Sequence, residues 1–331
     1  MELINFHVVP SLIVSIIFLM LVSIFIYVCR IKSPELKAIL LFIPLYKSLK
    51  MLTFGIPFFK NKKMGGLGLQ LPDPFNWVPG EISIINYLNQ TRKPSIVLIA
   101  TLVGLAMAIS IIIIRWIAIH IHLKQLAREY VVEKDECPKI FASMEKYSQK
   151  LEINAPKLIL THDRNTVPQA NGIVNTSVIL SPNLIEELPK ESTDSIIAHE
   201  LAHLKRKDNL SQWLAMALRD LMFFNPLSHL CYRLIIKNNE RSANKLLIKK
   251  LNIKPSTLAK TIESFNNYLK KSQKAKFKLA DTIGFLFNSS NKEITWLNKK
   301  GSNKTSTREK ITFILLFLLL FWLEVVYMAI P

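Results

Sequence analysis

SIIAHELAHLKRKD, residues Ser195 to Asp208, decides how this 331-residue chain is read. It contains His199-Glu200-Leu201-Ala202-His203, an H-E-x-x-H sequence. At about 100° per residue, the two histidines project from one helix face a turn apart, so both imidazoles can reach a single Zn²⁺. Glu200 lies just beside that face, where a carboxylate can take a proton from a water held at the metal without being a ligand itself. Ile196, Ile197, Leu201 and Leu204 give the same helix an apolar side to bury. The alternative is a basic amphipathic helix with two solvated histidines. That apolar side and the strand-turn-strand pattern before it weigh against this alternative.

A catalytic zinc needs a third protein ligand. A further histidine six residues beyond His203 would have served, but position 209 is Asn. Asp208 is five residues beyond His203, in or near the same helix, with its side chain expected to point away from the histidine pair. Glu240 is the better candidate. It follows a long apolar stretch, and Asn244 comes one turn later on the same face, where it can hydrogen-bond a histidine ligand. An ordinary surface acid in a Lys- and Asn-rich stretch is the competing reading of Glu240.

Upstream, Glu136–Lys150 has helical spacing, Lys157–His162 (KLILTH) reads as a strand, and Val167–Ser181 reads as strand, turn at Asn171-Gly172, and strand. Pro182 opens a short helix to Leu188, Pro189 breaks it, and Ser192-Thr193-Asp194 offers caps for the motif helix.

Farther out the chain becomes apolar in membrane-length blocks. Half of it is hydrophobic and its mean hydropathy is +0.25, yet it carries a net charge of +19. Both hold only if the two properties are segregated. Ser11–Cys29, Ser95–Ile114 and Ile311–Ile330 are each long enough to cross a hydrocarbon core of roughly 30 Å. Ala38–Phe59 is less clear, because Lys47 and Lys50 sit near its middle. If that block spans, only five of the ten Lys/Arg between Arg30 and Pro94 fall outside, so the positive-inside bias favours four spans with both termini outside. The stretch Arg115–Lys310 holds 33 Lys/Arg against 19 Asp/Glu, a balance suited to an anionic cytoplasmic leaflet. Its charges are scattered and lack interleaved aromatics, so no nucleic-acid partner is expected. Three distant cysteines, Cys29, Cys137 and Cys231, build neither a disulfide framework nor a thiolate zinc site.

SIIAHELAHLKRKD, FFNPL (Phe223–Leu227), Tyr232-Arg233 and Glu240-x-x-Ala243 together resemble the BlaR/MecR-type membrane zinc peptidases, over about Leu158–Leu247. The resemblance implies a gluzincin: His199, His203 and Glu240 as zinc ligands and Glu200 as base. It implies an α-helical membrane protein of about four transmembrane helices with an inserted α+β, zincin-like peptidase domain. The strand near Val174–Leu180 would be the edge on which an extended substrate lies. Asn244 departs from the family pattern, which has Asp there. An amide can accept the same hydrogen bond, but it supplies no charge. Sensor members carry a penicillin-binding domain after the last span, and this chain resembles the transducer half alone, so sensing by acylation is not expected.

The resulting division is a transmembrane region at 1–114 (spans about 11–29, 38–59 and 95–114), a zinc peptidase domain at 115–269, a basic linker at 270–310 and a last span at 311–331. The expected protein is a multi-pass endopeptidase of the inner membrane, its domain facing the cytoplasm and its partners the lipid bilayer and a protein or peptide substrate, a repressor or the protein itself. HtpX-like quality-control proteases are a close alternative. They are disfavoured because Arg219, Asp220 and Asn225-Pro226 interrupt the apolar run Trp213–Ile236. A non-catalytic signalling or scaffold protein with a degenerate peptidase fold is the third reading, and Asn244 is its main support. Helix depth further suggests that Lys50, or Lys47, pairs with Glu324 inside the membrane. His7, His120, His122, His162 and His229 lack partner spacing and read as structural or interfacial.

Overall fold

A computed structural model describes residues 8–54, 109–118, 131–161, 167–172 and 175–272, together with isolated positions between 103 and 125 and between 307 and 315. The described chain is mostly helical and divides into two compact units. One comprises Met1–Arg30, Ile39–Trp116 and Ala215–Ile235, and the other Ile31–Ala38, Ile117–Leu214 and Ile236–Pro331.

The first unit is built on α1 (Val9–Val28), the one helix among the described residues long and apolar enough to cross a membrane. The block expected from Ala38 is not one helix. It is α2 (Pro34–Leu40) and α3 (Phe42–Phe54), separated by a turn at Leu41. Pro44 explains the break, because it has no N–H for the Leu40 carbonyl and its ring clashes there. α4 (Ile109–Ala118) continues three residues past Arg115, the expected end of its apolar run. Leu41, Leu45, Ala215, Met222, Cys231 and Ile235 form the buried core of this unit.

In the second unit, α5 (Pro138–Leu151) precedes β1 (Lys157–Leu160), β2 (Gln169–Asn171) and β3 (Ser177–Leu180). The sheet order is β1-β3-β2, with β1 parallel and β2 antiparallel to β3, so the strand near Val174–Leu180, expected to be the edge for an extended substrate, is instead central and paired on both sides. The turn after β2 requires Gly172, whose φ is +89°, because a Cβ there would stand 2.1 Å from the Asn175 carbonyl oxygen. Next come α6 (Pro182–Glu187), α7 (Lys190–Arg206), α8 (Asp208–Leu221), α9 (Pro226–Lys250) and α10 (Pro255–Ser272). Ile197, Ala198, Leu201 and Ala202 of α7 are wholly buried in a core that also takes in Leu158, Val178, Leu180, Leu247 and Phe265.

The start of α7 corrects the expected cap. Ser192, Thr193 and Asp194 lie inside the helix, and Pro189 caps it through its carbonyl, which accepts from Ser192 and Thr193 N–H at 2.9 and 3.0 Å. Asp194 is instead held by α5, accepting from Ser143 Oγ at 2.6 Å. The loop Lys60–Pro94, most of the basic linker and last span, the Lys50–Glu324 pairing, and His7, His120, His122 and His162 lie outside the described residues.

Candidate metal centre

The motif helix and the middle of α9 bring His199, His203 and Glu240 together, with one ligand atom of each within 4.8 Å of the others. His199 Nε2 stands 3.0 Å from His203 Nε2 and 3.1 Å from Glu240 Oε2, and His203 Nε2 stands 3.5 Å from Glu240 Oε1. Ligands about 2.0–2.2 Å from a tetrahedral zinc lie about 3.4 Å from one another, so these separations fit that ion. The donor set of two imidazoles and one carboxylate fits it too. Glu240 is not beyond an apolar helix, as expected, but at the centre of one. The 25 residues of α9 fix it from both sides.

Glu200 is buried one position from His199 and takes a hydrogen bond from the Ala170 backbone in β2. Burial pushes its carboxyl above the ordinary range, although the His203 and His199 imidazoles oppose that rise. A carboxylate raised in this way accepts a proton more readily, which suits a base.

Burial would also raise Glu240. The charge of His203 and hydrogen bonds from both imidazoles reverse that effect and hold Glu240 far below the usual carboxylate range. Burial would lower His203, but the Glu240 charge and the Asp208 and Glu240 contacts raise it well above its ordinary value. The charged form of His203 is thus favoured between the Asp208 and Glu240 carboxylates.

Asp208 is the residue that sequence reasoning misplaced. α7 stops at Arg206, and Lys207 takes a left-handed conformation with φ 55°, its N–H closing onto the His203 and Leu204 carbonyls. That reversal makes Asp208 the first residue of α8 and swings its carboxylate back to the motif, where His203 Nδ1 donates to Oδ2 at 2.8 Å. A carboxylate on the far nitrogen fixes the tautomer and leaves Nε2 free for a metal. Arg206 Nε donates to the same Asp208 oxygen at 3.1 Å, and Arg206 Nη1 lies 3.4 Å from Glu35 Oε1 in α2. Asp-Asn-Leu-Ser at 208–211 is a helix-start signature that could have revealed the turn.

Asn244 is buried one turn beyond Glu240. Asn209 holds the β2–β3 turn, donating to the Gly172 carbonyl at 3.1 Å. His229 Nε2 donates to the Phe223 carbonyl at 3.2 Å, well away from any ligand role.

Compared with known proteins, residues 82–258 match the family described as BlaR1 peptidase M56, just over half of the chain. Similar proteins include a protease HtpX homolog of Thermococcus sibiricus, 30% identical over 90 residues, which are 27% of this chain and 31% of that protein. A protease HtpX homolog of Pyrococcus abyssi has the same identity and the same coverage. One from Nostoc sp. is 24% identical over 99 residues, 29% of this chain and 34% of its own. The chain spans about a third of the length of these curated relatives.

Proposed function

The chain belongs to the BlaR1 peptidase M56 family, and from that premise we propose that it is a membrane-anchored zinc endopeptidase. A membrane-associated protease is what the family supports. The observation that carries the finer reading is the convergence of His199 Nε2, His203 Nε2 and the Glu240 carboxylate, with Glu200 beside them. Zinc, when bound, polarises a peptide carbonyl and eases deprotonation of water. His199, His203 and Glu240 would hold it, and Asp208 fixes the His203 ring. Glu200 accepts the proton that water loses as its oxygen bonds to the carbonyl carbon. Glu200 then delivers that proton to the amide nitrogen as the C–N bond breaks. Burial of Glu200 keeps that proton from exchanging with bulk solvent.

We read the chain as four spans, with the peptidase domain at 115–269 facing the cytoplasm and a basic linker at 270–310. The apolar α1 and the excess of positive charge in Arg115–Lys310 support this reading. The substrate is a cytoplasmic or membrane-proximal protein, a repressor or the chain itself. The likeness to HtpX homologs over 90 residues favours one other role, quality control of membrane proteins.

Zinc content of the purified full chain tests the reading. One zinc per chain, lost in Glu240→Ala together with cleavage of a fluorescent unfolded protein, is expected. Full zinc and full activity in Glu240→Ala would remove Glu240 from the ligand set.

A further inference from the structure

FFNPL, residues Phe223–Leu227, supplies none of the candidate metal ligands, yet it forms a densely bonded turn of the first unit. It joins the end of α8 to the start of α9. Asn225 N–H donates to the Met222 carbonyl at 2.8 Å, and the Asn225 side chain accepts from Leu227 N–H at 3.0 Å. Ser228 Oγ donates to the Met222 and Asn225 carbonyls, and His229 closes on the Phe223 carbonyl. Pro226 has no N–H to satisfy. A turn that finds these partners within itself, rather than in water, is what hydrocarbon demands.

The surroundings of the turn give its depth. Asn225 is wholly buried, and its Nδ2 donates to Ser15 Oγ of α1 at 2.7 Å and to Ser48 Oγ of α3 at 3.2 Å. Ser48 in turn bonds Ser11, Oγ to Oγ at 2.8 Å. Counting 1.5 Å per residue, Ser15 lies about 9 Å from Val9 and about 20 Å from Val28 along α1. The turn therefore meets α1 well inside its apolar length, whichever end is taken as the membrane surface. Of the membrane-length window of α1, only 17% is buried in the protein. Phe223 beside this contact is 61% exposed and Leu230 44%. The residues that break the hydropathy have partners: Asp220 pairs with Arg219 and Arg115, and Arg219 stacks on the Tyr232 ring at 4.4 Å. Ionisable groups at membrane depth pair in this way.

We infer that Ala215–Ile235 is a re-entrant helical hairpin whose Phe223–Pro226 tip lies in the hydrocarbon layer beside α1, with lipid acyl chains against Phe223 and Leu230. α8 begins with Asp208 and α9 carries Glu240, so each arm of this anchor also supplies a group to the candidate metal centre.

The test uses the full chain in phosphatidylethanolamine/phosphatidylglycerol vesicles doped with a lipid bearing a diazirine at the acyl terminus. After photolysis and digestion, adducts are expected on peptides of α1 and of residues 215–235, and none on α5. Adducts on α1 with none on 215–235, or on neither, would overturn the inference. Spin labels at Phe223→Cys, Met20→Cys and Glu152→Cys, with the three native cysteines replaced by alanine, give a second measurement. Oxygen should relax the first two more than a nickel chelate does, with the reverse at Glu152→Cys. Nickel-dominated relaxation at Phe223→Cys would overturn the inference as well. Neither experiment involves zinc, so failure here leaves the peptidase reading standing.

Discussion

Two stretches of the same pair of helices bury polar groups by opposite means. Around His203, the second unit buries charge: Asp208 is 3% exposed, Glu240 17% and Arg206 16%. Around Asn225, the fully buried polar groups among the described residues are neutral, Ser11, Ser15, Ser48, Ser228 and the amide itself, and the Arg219–Asp220 pair of the same unit is only partly buried. Buried charge is tolerable where each ion has a partner, and it is useful where a cation is to be held. Neutral hydroxyls and amides satisfy one another without an ion, which is the cheaper solution beside lipid. The difference is what the proposed division requires, with chemistry at one end of the hairpin and anchorage at the other.

The sharpest way to break this division is Glu200→Gln. No ligand is removed, so zinc stoichiometry should persist while cleavage of a fluorescent unfolded protein falls by about 10²–10⁴-fold, the usual scale of a general base. Loss of zinc together with activity would mean that Glu200 belongs to the ligand set and that the charged cluster has been divided wrongly. Asp208→Ala comes next. Removing the partner of a ligating histidine typically costs about 10–100-fold in metal affinity, measurable by competition with a chromogenic chelator. An unchanged affinity would reduce Asp208 to a helix-start residue.

The charged cluster should also show itself through pH, in the metal-free protein. His203 has a folded pKa raised above its ordinary 6.5, so its contribution to stability is full below that value and is lost as pH rises through the raised one. Glu240 has a lowered pKa, so its contribution is present above the ordinary 4.5 and is lost only as pH falls through the depressed value. Chelator-treated protein should therefore hold both contributions in full between about pH 4.5 and 6.5 and lose Tm as pH rises through the raised His203 value. With zinc bound, His203 must be neutral, and the alkaline loss should vanish. The Asn225 cluster contains no titrating group and should contribute nothing to either profile.

Much of the charged end was legible in the sequence and little of the neutral end. H-E-x-x-H fixes its own geometry, because two histidines four apart on a helix can only face one way. Glu240 was found by type and distance, although its place at the middle of α9 was not. Asp208 was lost because one left-handed residue, Lys207, turns the chain where helical spacing would carry it on. Non-glycine residues in that conformation leave little trace in sequence. The break of the apolar block at Leu41 follows from Pro44, whose missing N–H is a signal present in the sequence. Asn225 read as an interruption of an apolar run, since its partners Ser15 and Ser48 are 210 and 177 residues away. No local pattern encodes pairing at that distance.

A smaller effect is expected at the neutral end. Asn225→Leu keeps the turn apolar but leaves the Ser15 hydroxyl without its partner. Buried interhelical hydrogen bonds in membranes contribute about 1 kcal/mol, so Tm in detergent should fall by a few degrees. Zinc affinity should not change. A tenfold loss of zinc affinity would show that the two ends of the hairpin are not independent.

The smallest effect tests the outer link of the charged chain. Glu35 reaches Arg206 at 3.4 Å, but its side chain is 40% exposed and its partner already binds Asp208. Exposed ion pairs contribute well under about 1 kcal/mol. Glu35→Ala should therefore weaken zinc binding about twofold, and Arg206→Ala more, since it donates directly to the Asp208 oxygen that orients His203. In the Arg206→Ala background, Glu35→Ala should add nothing, because its only route to His203 through this chain is gone. An equal loss in both backgrounds would mean that Glu35 acts on the centre by another path, and the order Glu35, Arg206, Asp208, His203 would have to be abandoned.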